Sequence, residues 1–476
     1  MVNEYDKKYL LGRLLVLLAI VAVMYFTNGI GFALVVPLLL FSFATKNEED
    51  LLFYLILTGT MVVGNSNIMP KTAVFFVLQR GIMMFLALAL SIRALGHRIS
   101  PVLRALLPLC FYLIFMFLSS SVGWCPGVSY LKLLLFGLCF FAYYGVSSCL
   151  VSSSRVDVCK VRSILLVFAI FYIIGSVALI PFPDISQLKG EEYLDLVRSG
   201  AYVTSLFTGM TNQSQCLGPI VAALTCLLLG DLVFGVRRLD KLYLILLLCA
   251  PYLIYKTSSR TALGTFFAGI FCVLFFFVRA HGVGSRWRSK VVTSFICLGA
   301  LGAGMLLSLP SVRQGTMNFV MKWGGDQVRA SELTIENIYA TRQGKIDEAL
   351  YHFKKSPIIG NGFQVSEAMQ GQGRSGLRTV LSAPVEKGVW VFAVLEEGGV
   401  VGMSLFLFFV IVALRGMVRQ RAYIGASFFI TFLVSNMGEF SFFSMSYIGG
   451  FMWAMLSLGL VLDLLTSRLQ AEDPSC

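Results

Sequence analysis

Apolar residues in this chain gather into long runs separated by short polar breaks. Stretches such as Ile164 to Ile180 and Val400 to Leu414 are almost continuously apolar, without the period-two alternation of a membrane β-barrel. Runs of roughly twenty residues match an α-helix crossing a hydrocarbon core about 30 Å thick. The pattern predicts helices near 9–26, 29–44, 51–64, 73–92, 102–121, 128–150, 162–181, 209–234, 240–256, 261–279, 289–309, 389–414, 421–437 and 445–465. The expected fold class is therefore all-α integral membrane, with about fourteen (12–14) transmembrane helices. The third helix is short, and only Thr27-Asn28-Gly29 separates the first two. The run Leu10 to Phe26 reads as a retained first helix, because no small-residue cleavage site follows it.

Two intervening segments are longer than turns, about 182–208 and 310–388. They divide the chain into N-terminal helices (1–181), a central transmembrane region with its outer loop (182–309), a large loop (310–388) and C-terminal helices (389–476). Within the large loop, Ile338, Ile346, Ala349, Leu350 and Phe353 recur at helical spacing until Pro357 stops the helix. Asn361 to Lys387 is rich in Gly, Ser, Gln and Arg, which predicts a mobile flap with at most short helices.

Composition changes little in this picture: 57% of residues are hydrophobic and 13% charged. The net charge of +13 raises the question of nucleic acid, and the position of the basic residues answers it. They bunch at helix ends: Lys7/Lys8/Arg13, Arg93/Arg98/Arg104, Arg155/Lys160/Arg162, Arg237/Arg238/Lys241, Arg279/Arg286/Arg288/Lys290 and Arg415/Arg419/Arg421. Those are the flanks of cytoplasmic loops, so nucleic acid is excluded as a partner and both termini are expected in the cytoplasm. Most of the eleven cysteines lie inside apolar runs and read as packing residues.

Four segments carry candidate chemistry. The first is Arg198-Ser-Gly-Ala running into Phe207-Thr-Gly-Met-Thr-Asn-Gln-Ser-Gln-Cys-Leu-Gly218; the second is Lys256-Thr-Ser-Ser-Arg-Thr-Ala-Leu-Gly264. The third is Arg342-Gln-Gly-Lys-Ile-Asp-Glu-Ala-Leu350 followed by Pro357-Ile-Ile-Gly-Asn-Gly362. The fourth is Pro384-Val-Glu-Lys-Gly-Val-Trp390, opening a helix that carries Leu395-Glu-Glu-Gly-Gly-Val-Val-Gly402.

This succession, over roughly residues 195 to 460, resembles the O-antigen ligase and O-antigen polymerase superfamily of bacterial surface-polysaccharide assembly. The resemblance implies a GT-C-like enzyme of the bacterial inner membrane, acting on a polyprenyl-diphosphate-linked oligosaccharide donor at the periplasmic face. It implies a glycan acceptor that is a lipid-linked repeat, a lipid A core sugar or a protein. Negative charge builds on the departing diphosphate, and preorganised cations stabilise it. The bidentate, permanently charged guanidinium suits that task. Arg260 and Arg342 stand at the motif positions where the family places its diphosphate-binding arginines; Arg198 and Lys387 are further candidates. Gln215 stands in a region where the family often has Pro-Asn, and Glu439 lies on the same outer face.

Ligases of this family carry a histidine where the large loop enters the next helix, and this chain has Glu386-Lys387-Gly388 there. A partly desolvated carboxylate accepts a hydroxyl proton, so Glu386 is the expected base. His352 reads as a surface or packing residue, and Lys71 and Lys132 read as interfacial anchors. Glu396 and Glu397, about two turns into a membrane helix, need a reason to be there. Neither metal nor other cofactor is expected, since ligand spacings and nucleotide-binding loops are missing from the sequence. Two other classes stay open: a transporter or flippase for the lipid-linked glycan, and a non-catalytic component of a polysaccharide export complex.

Overall fold

Several helices begin at a capping side chain or a proline: Asp6, Asn47 and Asp157 cap three of them, and Pro126 opens another. A computed structural model describes residues 5–95, 99–153, 156–187, 207–234, 240–257, 259–281, 335–369, 387–438, 440–444 and 448–472. Helix α1 (Lys7–Phe26) starts at Asp6, whose carboxylate accepts from the Tyr9 amide at 3.0 Å. A 3₁₀ turn (Ile30–Leu34) leads into α2 (Val35–Ala44). Helix α3 (Glu48–Val63) is capped by Asn47 and carries Glu48, Glu49 and Asp50 in its first turn, where the helix dipole favours them. Then come α4 (Ala73–Leu95), α5 (Leu109–Ser120), α6 (Pro126–Ser152) and α7 (Val158–Ala169), which runs through a π turn (Ile170–Ile174) to Ala178. The second half holds α8 (Ser214–Phe234), α9 (Lys241–Lys256), α10 (Arg260–His281), α11 (Ile335–Lys355), α12 (Trp390–Arg419), α13 (Tyr423–Ser435) and α14 (Ile448–Glu472).

Among the described residues, nine helices are long and apolar enough to cross a membrane, and the extended pairings are two isolated bridges. The chain is a multi-pass α-helical membrane protein. Helices appear at thirteen of the fourteen expected positions, and the fourteenth, 289–309, lies outside the described residues.

The short α3 is buried at every one of its 16 positions. A helix of about 24 Å would leave lipid mismatched, but lipid does not touch this one. It packs on α14, where Gly59 lets the Phe451 backbone approach to 3.3 Å from a would-be Cβ. The α14 window is 94% buried against 22% for α1, so α14 is central and α1 faces lipid. Around α14 stand α3, α6, α8 and α13; α4 lies on α6, α10 on α8 and α13, and α11 and α5 on α12.

The described basic flanks gather at one end of the bundle. There Tyr5 reaches Asp240, Arg93 reaches Glu48, the Asp157 amide donates to Glu49, and Arg468 donates to Ser153 O. Helix α11 and the Pro357–Gly362 loop sit at the opposite end, against Gly123 and Trp124 before α6.

Candidate functional site

Helix α12 is broken two and a half turns from its start. Gly399 takes φ 62° and ψ −163° inside the helix, a conformation open to glycine and costly to any residue with a Cβ. Backbone groups on both sides of the break lose their helical partners, and the loop after α11 replaces them. The amides of Asn361 and Gly362 donate to the carbonyls of Glu396 and Glu397 at 3.0 and 3.1 Å. In return, the amides of Val400 and Val401 donate to the carbonyls of Pro357 and Ile358 at 2.9 and 3.2 Å. Unpaired backbone groups at membrane depth cost several kcal/mol each, so break and loop exist only together. Gly360, at φ 76°, turns its missing side chain toward the Glu397 carbonyl. The next residues, expected to begin a mobile flap, are instead packed: Asn361 to Val365 are buried, and Phe363 is enclosed among Phe136, Phe443 and neighbouring side chains.

Beneath this loop several charges are shut away from solvent. Lys132, Lys387, Glu396 and Glu397 are 6%, 5%, 4% and 1% exposed. Lys387 Nζ lies 3.2 Å from Glu396 Oε1 and 3.3 Å from Glu397 Oε1. Burial alone would pull the Lys387 ammonium down, but the two carboxylates outweigh it and hold its pKa above the ordinary lysine value. Glu396 Oε1 also meets His352 Nδ1 at 3.2 Å, and His352 Nε2 meets Glu367 Oε2 at 3.1 Å. The Trp124 ring stands edge-on to the imidazole, with centroids 4.7 Å apart. Lys355 donates to both Glu367 oxygens at 2.7 and 2.9 Å, which lowers the Glu367 pKa and raises that of Lys355. Lys132 donates to Gln364 O at 3.0 Å and feels the charges of Glu397, Lys387 and Arg80. Lys387 Nζ meets both carboxylates at poor hydrogen-bond angles, and the Gln364 backbone faces the Glu397 carboxylate.

The residues singled out from sequence fall as follows. Lys387 is at the centre of the cluster. Arg260 opens α10 and is half-buried; Arg342 is on the α11 backbone; Gln215 is exposed on the first turn of α8. Arg198, Glu386 and Glu439 lie outside the described residues. The segments bearing the two main arginines adjoin through a run of contacts. Lys345, one turn after Arg342, lies 3.4 Å from the Cβ position of Gly388; the Trp390 amide donates to Asn436 O at 3.1 Å; and Gly438 packs on Thr261 beside Arg260.

From sequence His352 reads as a surface or packing residue and Lys132 as an interfacial anchor, whereas both are buried at this cluster. His352 follows the buried Ala349 at helical spacing, so its inward face was available from the pattern; Lys132 gave no such signal, because its partner is a loop carbonyl 232 residues away. Fold and cluster together define a polytopic membrane protein with a charged site built on a broken helix. No family model matches the sequence, and no curated protein matches it.

Proposed function

We propose that this protein is a membrane glycosyltransferase that transfers or polymerises a glycan carried on a polyprenyl diphosphate. On this reading the chain has about fourteen spans in a GT-C-like arrangement, the α11 end faces the periplasm and the basic end faces the cytoplasm. The observation that carries the reading is that the α10 start with Arg260, the α11 helix with Arg342 and the buried Lys387–Glu396–Glu397 cluster lie at one end of the bundle, linked through Gly388, Trp390 and Gly438. The acceptor hydroxyl oxygen attacks the anomeric carbon, and the bond to the diphosphate breaks with its electron pair leaving on phosphate. The arginines stabilise that charge, and Glu386 takes the hydroxyl proton. The donor linkage supplies the free energy, with neither metal nor cofactor.

A second reading rests on one feature. A discontinuous membrane helix such as α12 also suits a transporter of the lipid-linked glycan. Incubation of the purified protein with a polyprenyl-diphosphate oligosaccharide and an acceptor, without ATP or metal, separates the two. Product with release of polyprenyl diphosphate supports transfer; movement of donor across vesicles without product supports transport and overturns transfer.

A further inference from the structure

Exposure falls along a chain of touching titratable side chains at the α11 end. The side chains of Lys355 and Glu367 are 37% and 45% exposed, those of His352 and Glu396 7% and 5%, and those of Lys387 and Glu397 4% and 1%. Successive contacts are 2.7 Å (Lys355 to Glu367), 3.1 Å (Glu367 to His352), 3.2 Å (His352 to Glu396), 3.2 Å (Glu396 to Lys387) and 3.3 Å (Lys387 to Glu397). Each gap is within hydrogen-bond reach, the condition for a proton to pass. At the inner end, Lys387 Nζ meets Glu396 and Glu397 at poor hydrogen-bond angles, the Gln364 backbone faces Glu397, and the hydroxyl of the fully buried Tyr112 has no hydrogen-bond partner. Enclosed polar groups left this way need an explanation, and an exchanging proton or a bound water supplies one. A purely structural ion-pair network is the competing account.

We propose that His352, held between Glu367 and Glu396, passes protons between the solvent and the buried Lys387–Glu397 pair. Moving inward, Nε2 takes a proton from Glu367 while Nδ1 gives one to the Glu396 carboxylate, so the ring changes tautomer and keeps its charge. Lys387 then accepts the proton from Glu396 as it yields one to Glu397 Oε1, and the ammonium is unchanged. Outward passage reverses each step. The groups facing this path are Glu396 and Glu397 from α12, Glu367 from the Glu367–Met369 turn, Lys355 from α11, Lys132 from α6, Arg80 from α4 and Tyr112 from α5. The path stands independently of glycan transfer. Where transfer operates, it would carry to solvent the proton freed from each acceptor hydroxyl.

The test follows the protonated-carboxyl band of the full chain in lipid vesicles by infrared spectroscopy after a pH step. A band that re-equilibrates with the bulk and vanishes in Glu397→Gln is expected. His352→Gln keeps a polar side chain but cannot relay, and should slow the response roughly tenfold or more. Glu367→Gln, a surface change, should slow it by a smaller factor. A wild-type rate in His352→Gln, or no pH response from Glu397, overturns the path. If His352→Gln does not accumulate, Glu367→Gln decides: a slower response supports the path and an unchanged one overturns it. A normal proton response in protein that transfers no glycan would count against the enzyme reading alone.

Discussion

Three buried carboxylates at the basic end and the Lys387 cluster at the α11 end hold their charges differently, although the Arg93–Glu48 pair at the basic end is also left partly open. At the basic end, Asp231 accepts from Arg162 at 2.9 Å and from Tyr243 at 2.6 Å, and Asp50 accepts from Arg13, Tyr9 and Asn47 at 2.5, 2.7 and 3.0 Å. Asp463, also buried, is spent on the amides of Ile424 and Gly425 at the start of α13. These charges are saturated, and each ties two helices together. At the α11 end, Lys387 sits 3.2 and 3.3 Å from two carboxylates, off the angle of a good hydrogen bond to either. Saturated buried pairs read as staples. An open pair held by a broken helix is retained against its desolvation cost, which is the mark of a working site.

The largest test of this contrast removes one cation at each end. Lys387→Met and Arg162→Met should each destabilise by about 3–5 kcal/mol, because each strands a buried carboxylate. The rescue should then differ. Arg162→Met with Asp231→Leu should regain most of the lost stability and keep activity, whereas Lys387→Met with Glu396→Gln and Glu397→Gln should regain stability alone; thermal unfolding in detergent and glycan output report both. Recovery of activity at the α11 end would erase the distinction.

Arg260→Ala and Arg342→Ala should each cut transfer by about 10²–10³-fold while membrane abundance stays normal. Near-normal glycan output from either would remove that residue from the diphosphate site. Gly399→Ala should cost roughly 1–3 kcal/mol from the positive φ alone, with added loss as the new Cβ meets Ile358; a melting temperature equal to that of the parent would refute the welded break. The smallest effect is electrostatic. Glu367 has its pKa lowered by Lys355 and His352, so its ionised form favours the docked state. The Glu367–Met369 turn should hold at neutral pH and loosen only as pH falls through a value below the ordinary 4.5. Hydrogen exchange of that turn, followed from about pH 6 to pH 3, checks the sign: loosening complete above the ordinary value contradicts it. High salt should weaken the exposed contact at any pH.

Much of the helical layout was legible because hydrophobic runs are a local property. The short α3 was visible as a run too brief to span with ease, and only its neighbours reveal that it never meets lipid. The Gly398-Gly399 pair and the Pro357-Ile-Ile-Gly-Asn-Gly362 stretch were each visible alone. Their mutual pairing was not, since it is made of main-chain hydrogen bonds between segments about 40 residues apart, and such bonds leave no side-chain signature. Arg162 was read as one of the basic flanks, and its partner Asp231 follows 69 residues later, beyond any local pattern. The same limit hid the convergence of Lys132, His352 and Lys387.

Helix α11 is held to α12 most firmly at its Pro357 end, through the paired backbones and His352–Glu396, with Lys345 against Gly388 a lighter contact along it, so it behaves as an arm on a pivot. Arg342 lies thirteen residues before Lys355, so its backbone stands about 20 Å out along that arm. A tilt of about ten degrees at the pivot would carry that point some 3 Å, the difference between touching a phosphate oxygen and missing it. The stiffness of the α11–α12 joint therefore sets how steadily a guanidinium at that distance is presented, and softening the joint should blur recognition long before it unfolds the bundle.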